Sequence, residues 1–166
     1  MLAGSLAQPN VCETAAITRL TLADFRSYAW ARLDLESAPV VLTGPNGAGK
    51  TNLLEAISFL APGRGLRRAA LLEVDRRGRA DERRAPWAVA ARLESPSGAF
   101  ELGTGRASDG GEDGERRVVR VDGMAARGQV AFARLVAITW VTPEMDRLFT
   151  GGRAGRRRFL DRMVGG

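Results

Sequence analysis

Hydrophobic and polar positions change their period several times along the chain, and each change marks an element. Residues 17–22 alternate apolar and polar side chains, as a strand buried on one face does. Residues 24–28 read as a turn, and residues 30–35 alternate again, so an antiparallel pair is expected. Residues 39–43 form a short, continuous apolar run rich in valine, which predicts a buried strand. Residues 52–60 carry Leu53, Leu54, Ile57 and Leu60 at helical spacing, which predicts one apolar helix face.

Pro62, Gly63 and Gly65 break the pattern, and residues 66–74 are apolar enough for a short helix. Residues 76–84 are a charged run, for which a solvated loop and a DNA contact are the two readings. Residues 87–94 and 99–102 flank a turn containing Pro96 and Gly98, a hairpin signal. Residues 103–114 are heavy in Gly, Asp and Ser and read as a flexible loop. A further strand is expected at 116–121, with a turn at Asp122 and Gly123. Helical turns follow at 129–134 and a second continuous apolar strand at 135–141. Thr142 suits a helix cap with Pro143 at the first helical position, and 153–164 reads as a basic helix after Gly151 and Gly152. With no internal repeat, this is one α/β lobe over residues 17–164, with a flexible leader at 1–16 and a tail at 165–166.

Between the apolar run at 39–43 and the helix at 52–60 lies Gly44-Pro45-Asn46-Gly47-Ala48-Gly49-Lys50-Thr51, which fits G-x-x-x-x-G-K-[ST], the phosphate-binding loop of nucleoside triphosphatases. Glycines at 44, 47 and 49 allow a tight turn that points successive N–H groups into one anion nest. The helix start adds unpaired N–H groups and a positive dipole end. Lys50 is placed for the β- and γ-phosphates of ATP, Thr51 for Mg²⁺, and Asn52 follows directly. Lys50 is also the only lysine in a chain that otherwise uses arginine as its cation.

Composition narrows the function further. The chain has 166 residues, a formal net charge of +6 and no histidine. Histidine catalysis and histidine metal sites are therefore closed off. The basic balance attracts nucleic acid, although an Ala-, Gly- and Arg-rich composition has the same effect on charge without any such partner. No stretch approaches a membrane span, and the leader lacks the basic start and apolar core of a signal peptide. One cysteine, Cys12, excludes an internal disulfide framework and suits a reducing cytoplasm.

Several segments together resemble the RecF recombination mediators. Residues 22–28 resemble their L-x-x-F-R-[NS]-Y opening, residues 44–52 their G-x-N-G-A-G-K-T-N loop, and residues 65–67 the segment after the first helix. Thr142-Pro143-Glu144 resembles [ST]-P-E, and residues 156–161 resemble the more specific R-R-x-F-L-D. The resemblance runs in order from residue 17 to 164. It implies a P-loop NTPase fold: the first lobe of an ABC-type ATPase head, related to SMC proteins, with a mixed β-sheet and antiparallel hairpins. It also implies a cytoplasmic, ATP-dependent homodimer of DNA repair, replication and the SOS response. Such a dimer binds single-stranded or gapped DNA and works with recombination mediator proteins to load recombinase.

Departures from the family pattern qualify these expectations. Residues 135–141 followed by Glu144 imitate a Walker B strand, but Pro143 and the displaced acid spoil the match. Thr150, Gly151 and Gly152 imitate a signature loop, but Arg153 follows where glutamine belongs. The chain therefore reads as an N-terminal fragment that binds ATP without hydrolysing it alone. Arg26 is a candidate contact to phosphate or DNA, and Thr142 and Glu144 stand where the wider ABC class positions Mg²⁺ and water. Two other readings stay open: a small P-loop kinase, and a DNA-binding module with a vestigial loop.

Overall fold

A computed structural model describes residues 14–76, 85–107, 116–143 and 157. Its frame is a six-stranded sheet in the order β2-β1-β3-β4-β5-β6, antiparallel at every ladder. The strands are β1 (Ala16–Phe25), β2 (Tyr28–Asp34), β3 (Ala88–Ser95), β4 (Gly98–Arg106), β5 (Arg117–Val121) and β6 (Met124–Ala125). The helices are α1 (Lys50–Ser58), α2 (Leu71–Val74) and α3 (Val130–Ala133).

Period-two patterning puts Leu20, Leu22, Val89, Ala91, Leu93, Leu102 and Val119 on one face of this sheet, all buried. α1 lies on that face through Leu53 and Ala56, and Phe59 and Leu60 just beyond it are fully buried. Phe25, Phe59 and Trp87 meet at the centre with ring centroids 4.9–6.0 Å apart, the Phe25 pairs edge to face. The Trp87 indole N–H donates to the Leu71 carbonyl at 2.9 Å, so the ring is buried with its polar atom satisfied.

Both hairpins form as expected, and the Asp122–Gly123 turn has positive φ at both residues (49° and 75°), the mirror-image turn that matches strand twist. Four expectations need correction. Residues 103–106 are not loop: they continue β4, because β5 supplies a ladder partner for each of them. The helix at 66–74 is reduced to Leu71–Val74. The apolar face of α1 does not include Leu54, which is 52% exposed, while Glu55 is fully buried; an ion-pair network described below turns the helix that way.

The fourth correction is the most consequential. Residues 39–43 and 135–141 form no strands, and Val41 and Val141 are 81% and 69% exposed. An extended backbone becomes a strand only when a neighbour accepts and donates its hydrogen bonds, and no described strand lies alongside either segment. Val40 and Leu42 instead line a groove of about 490 Å³ against Leu33, Leu53 and Ile57. Val136, Ile138 and Trp140 line another of about 610 Å³ beside residues 61–65. Residues 77–84, 108–115, 144–156 and 158–166 lie outside the described residues, and with them the charged run beyond Arg76, Glu144, the basic helix apart from residue 157, and the tail, as does the leader to residue 13. Among the described residues no helix is long and apolar enough to cross a membrane.

The sheet also holds the far end of α1. Arg117 on β5 donates to the Phe59 carbonyl, to the Gly63 carbonyl at 2.7 Å and to the Thr104 hydroxyl at 2.7 Å. Its guanidinium lies 5.3 Å from the Phe59 ring centroid. Burial pushes its pKa down to about 10, so it remains a cation at neutral pH and meets the negative end of the helix dipole. Arg117→Ala strips these carbonyls of their donor and is expected to cost about 1–3 kcal/mol, read from urea unfolding. Arg117→Lys should recover less than half of that, because an ammonium cannot reproduce the planar fork.

Candidate nucleotide-binding site

The loop at 44–51 has the shape its composition predicts. Gly44, Gly47 and Gly49 have φ of 135°, 84° and 91°, the left-handed region that L side chains rarely enter. Gly49 is the N-cap of α1, with φ 91° and ψ 0°, and its carbonyl accepts from the Asn52 and Leu53 N–H groups at 2.8 and 3.1 Å. No side chain caps the helix, and no acid stands in its first turn. The positive helix end is thus left unneutralised, which is what an anion site requires.

The Lys50 ammonium folds back and donates to the Gly44 and Pro45 carbonyls, both at 2.7 Å. It therefore closes the loop from Lys50 to Gly44 while staying within the nest that phosphates would enter. Pro45, Asn46, Ala48 and Thr51 are exposed around it. Glycines held at positive φ, a lysine across the nest and an exposed Thr51 hydroxyl fit a Mg²⁺-bound triphosphate: the backbone and Lys50 would hold the phosphates and Thr51 the metal.

Behind the loop sits a polar network that the sequence alone did not expose. Glu55, fully buried on α1, receives the Arg26 guanidinium through Nε at 2.9 Å and Nη2 at 2.7 Å, and Arg67 Nη1 at 2.9 Å. The carboxylate is thus held by a bidentate fork and a second cation. Arg26 also donates to the Glu73 carbonyl at 2.7 Å, and Arg67 to Asn52 Oδ1 at 3.0 Å. Asn52 Nδ2 in turn donates to the Ser27 hydroxyl at 2.9 Å.

The structure thus brings residues 44–52 together and sets Arg26 directly behind them, facing Glu55 and not the nest. No hydrogen bond among the described residues joins Thr142 to the loop, and Glu144 lies outside them. Glu55, Arg67 and Tyr28 are the residues that sequence reasoning missed. The one available signal was an acid, Glu55, placed between Leu53 and Ile57 in an otherwise apolar helix.

A family model described as an AAA domain matches residues 19–71, the segment from β1 through the loop and α1 to the start of α2. The chain is 51% identical over 148 residues to the DNA replication and repair protein RecF of Rhizobium meliloti (strain 1021), and equally to that of Mesorhizobium japonicum. Each match covers 89% of this chain and 38% of the relative, so the chain spans about two fifths of the length of the curated relatives it matches. Among solved structures, the recombination mediator protein RecF with ATPrS is similar over 90% of this chain and 38% of its own, with a TM-score of 0.74 at 22% identity. An SMC ATPase structure is similar over 90% of this chain and 99% of its own, with a TM-score of 0.69 at 18% identity, which speaks to the fold. The loop geometry, the sheet that carries it and these likenesses agree: the chain belongs to the RecF family of P-loop proteins, with the fold of an ABC-type ATPase head like that of SMC proteins.

Proposed function

We propose that this chain is the ATP-binding lobe of a RecF-type DNA replication and repair ATPase. Gly44, Gly47, Gly49, Lys50 and Thr51 take the phosphates and Mg²⁺, and Asn52 braces the first turn of the helix. The observation that carries the reading is the glycine nest at the uncapped, acid-free start of α1, with Lys50 lying across it. Glu55, the acid nearest the loop on α1, is committed to two arginines, so binding without turnover is the expected behaviour of this chain by itself.

The finer reading rests on the resemblance to the RecF proteins and is part of the same proposal. Bound ATP favours a homodimer, the dimer engages single-stranded or gapped duplex DNA, and partner mediator proteins use it to load recombinase in the cytoplasm. The net charge of +6 supports a phosphate-backbone partner. The test is equilibrium binding of a fluorescent ATP analogue with Mg²⁺ and with EDTA, followed by gapped-duplex binding with and without ATP at two salt concentrations. Mg²⁺-dependent nucleotide binding that strengthens DNA binding is the expected result. DNA binding that is steeply salt-dependent but indifferent to ATP would favour a DNA-binding module with a vestigial loop, and no nucleotide binding would defeat the reading.

A further inference from the structure

The three loop glycines differ in what surrounds them. A Cβ built on Gly47 would meet nothing within 4 Å, and one on Gly44 only the Ala48 methyl at 3.8 Å. At Gly49 it would lie 2.9 Å from Tyr28 Cζ and 3.2 Å from Cε2, and closer still to the Tyr28 hydroxyl oxygen. The phenol ring therefore takes the space that a side chain at the helix N-cap would occupy.

The ring is held there by the turn that precedes it. Phe25 and Tyr28 are cross-strand partners, and Arg26 and Ser27 form the turn between them, Arg26 with φ 55°. Both turn residues are fastened to α1: Arg26 by its fork on Glu55, Ser27 by its hydrogen bond from Asn52. The turn thus grips the helix at residues 52 and 55, and the next residue leans on the helix cap at residue 49. A glycine at positive φ is conformationally free unless something restrains it, and every rotamer or backbone state removed before binding strengthens binding.

From this we propose that Tyr28 is a positioning residue for the phosphate loop, holding Gly49 in its anion-binding conformation before nucleotide arrives. The inference rests on the loop being a nucleotide site. Tyr28→Ala is expected to weaken Mg²⁺·ATP binding by about 5- to 30-fold, the range for freeing one backbone residue. Tyr28→Phe retains the ring and should bind within about twofold of the unmodified chain.

Because Tyr28 is the only tyrosine in the sequence, ring-labelled tyrosine reports on this contact alone. A nuclear Overhauser contact between the ring and the Gly49 α-protons in nucleotide-free protein is the expected signature. Nucleotide binding without that contact would overturn the positioning role and leave the site reading intact. The contact without nucleotide binding would overturn the site reading and the proposal with it. A Tyr28→Phe chain as weak as Tyr28→Ala would mean that the hydroxyl touches the ligand directly, which also overturns positioning by the ring.

Discussion

Lys50→Ala is expected to weaken Mg²⁺·ATP binding by about 100-fold or more while leaving the nucleotide-free chain nearly as stable. A hydrogen bond to a charged group contributes about 1.5–3 kcal/mol, and an ammonium spanning two phosphates makes at least two. Together that is about 3–6 kcal/mol, or more than two decades in affinity. Stability should change little because the Gly44 and Pro45 carbonyls that Lys50 now engages lie on exposed residues and water replaces the lost donor. Isothermal titration with Mg²⁺·ATP, alongside thermal unfolding without nucleotide, reads both quantities. Affinity within about threefold of the unmodified chain would remove Lys50 from the site. Lys50→Arg is informative for the same reason that the lone lysine is. If any cation sufficed, arginine would serve, as it does everywhere else in this chain. A planar fork does not fit the space of a point charge on a flexible stem, so Lys50→Arg should recover little.

Glu55→Ala is expected to lower stability by about 2–3 kcal/mol, because it removes the buried carboxylate that anchors both Arg26 and the more exposed Arg67. For a chain of this length that moves the thermal midpoint by on the order of 10 °C. The loss should be shared: Arg26→Ala removes the fork and strands a fully buried carboxylate on Arg67 alone. Combining Arg26→Ala with Glu55→Ala should cost clearly less than the sum of the two, since each single change orphans the other's partner. Strict additivity in a denaturant-unfolding cycle would show that water reaches the carboxylate and that the pair is not a buried unit. The outer ion pairs behave differently. Hydrogen bonds from Arg19 and Arg32 hold the Asp34 carboxyl below its ordinary pKa of 3.8. Their stabilisation is present above that value and fades as pH falls through the lower folded-state value. At an exposed site the effect is small.

Together the two variants separate binding from architecture. Lys50 folds back over the loop at 44–51 and Glu55 faces the protein, although they lie only five positions apart on one helix. Only the rotation of α1 distinguishes the two roles. Leu54, which the apolar spacing assigned to the buried face, is turned to solvent so that Glu55 can reach Arg26 and Arg67.

Local chemistry in the sequence determined the phosphate loop, its helix and the strand-to-strand hairpins. A glycine at positive φ, a period-two alternation and a two-residue turn each act over a few residues, so the chain spells them out directly. Residues 39–43 and 135–141 show the limit of that reading. Their valines and leucines mark them for burial in a sheet, but a strand also needs a neighbour for its backbone, and pairing is not encoded in either partner alone. The buried Glu55, the Arg117 clasp on the end of α1 and the Tyr28 ring over Gly49 were likewise decided by tertiary structure. Each joins residues at least 12 positions apart through a contact whose strength depends on burial, and burial exists only once the sheet and helix have met.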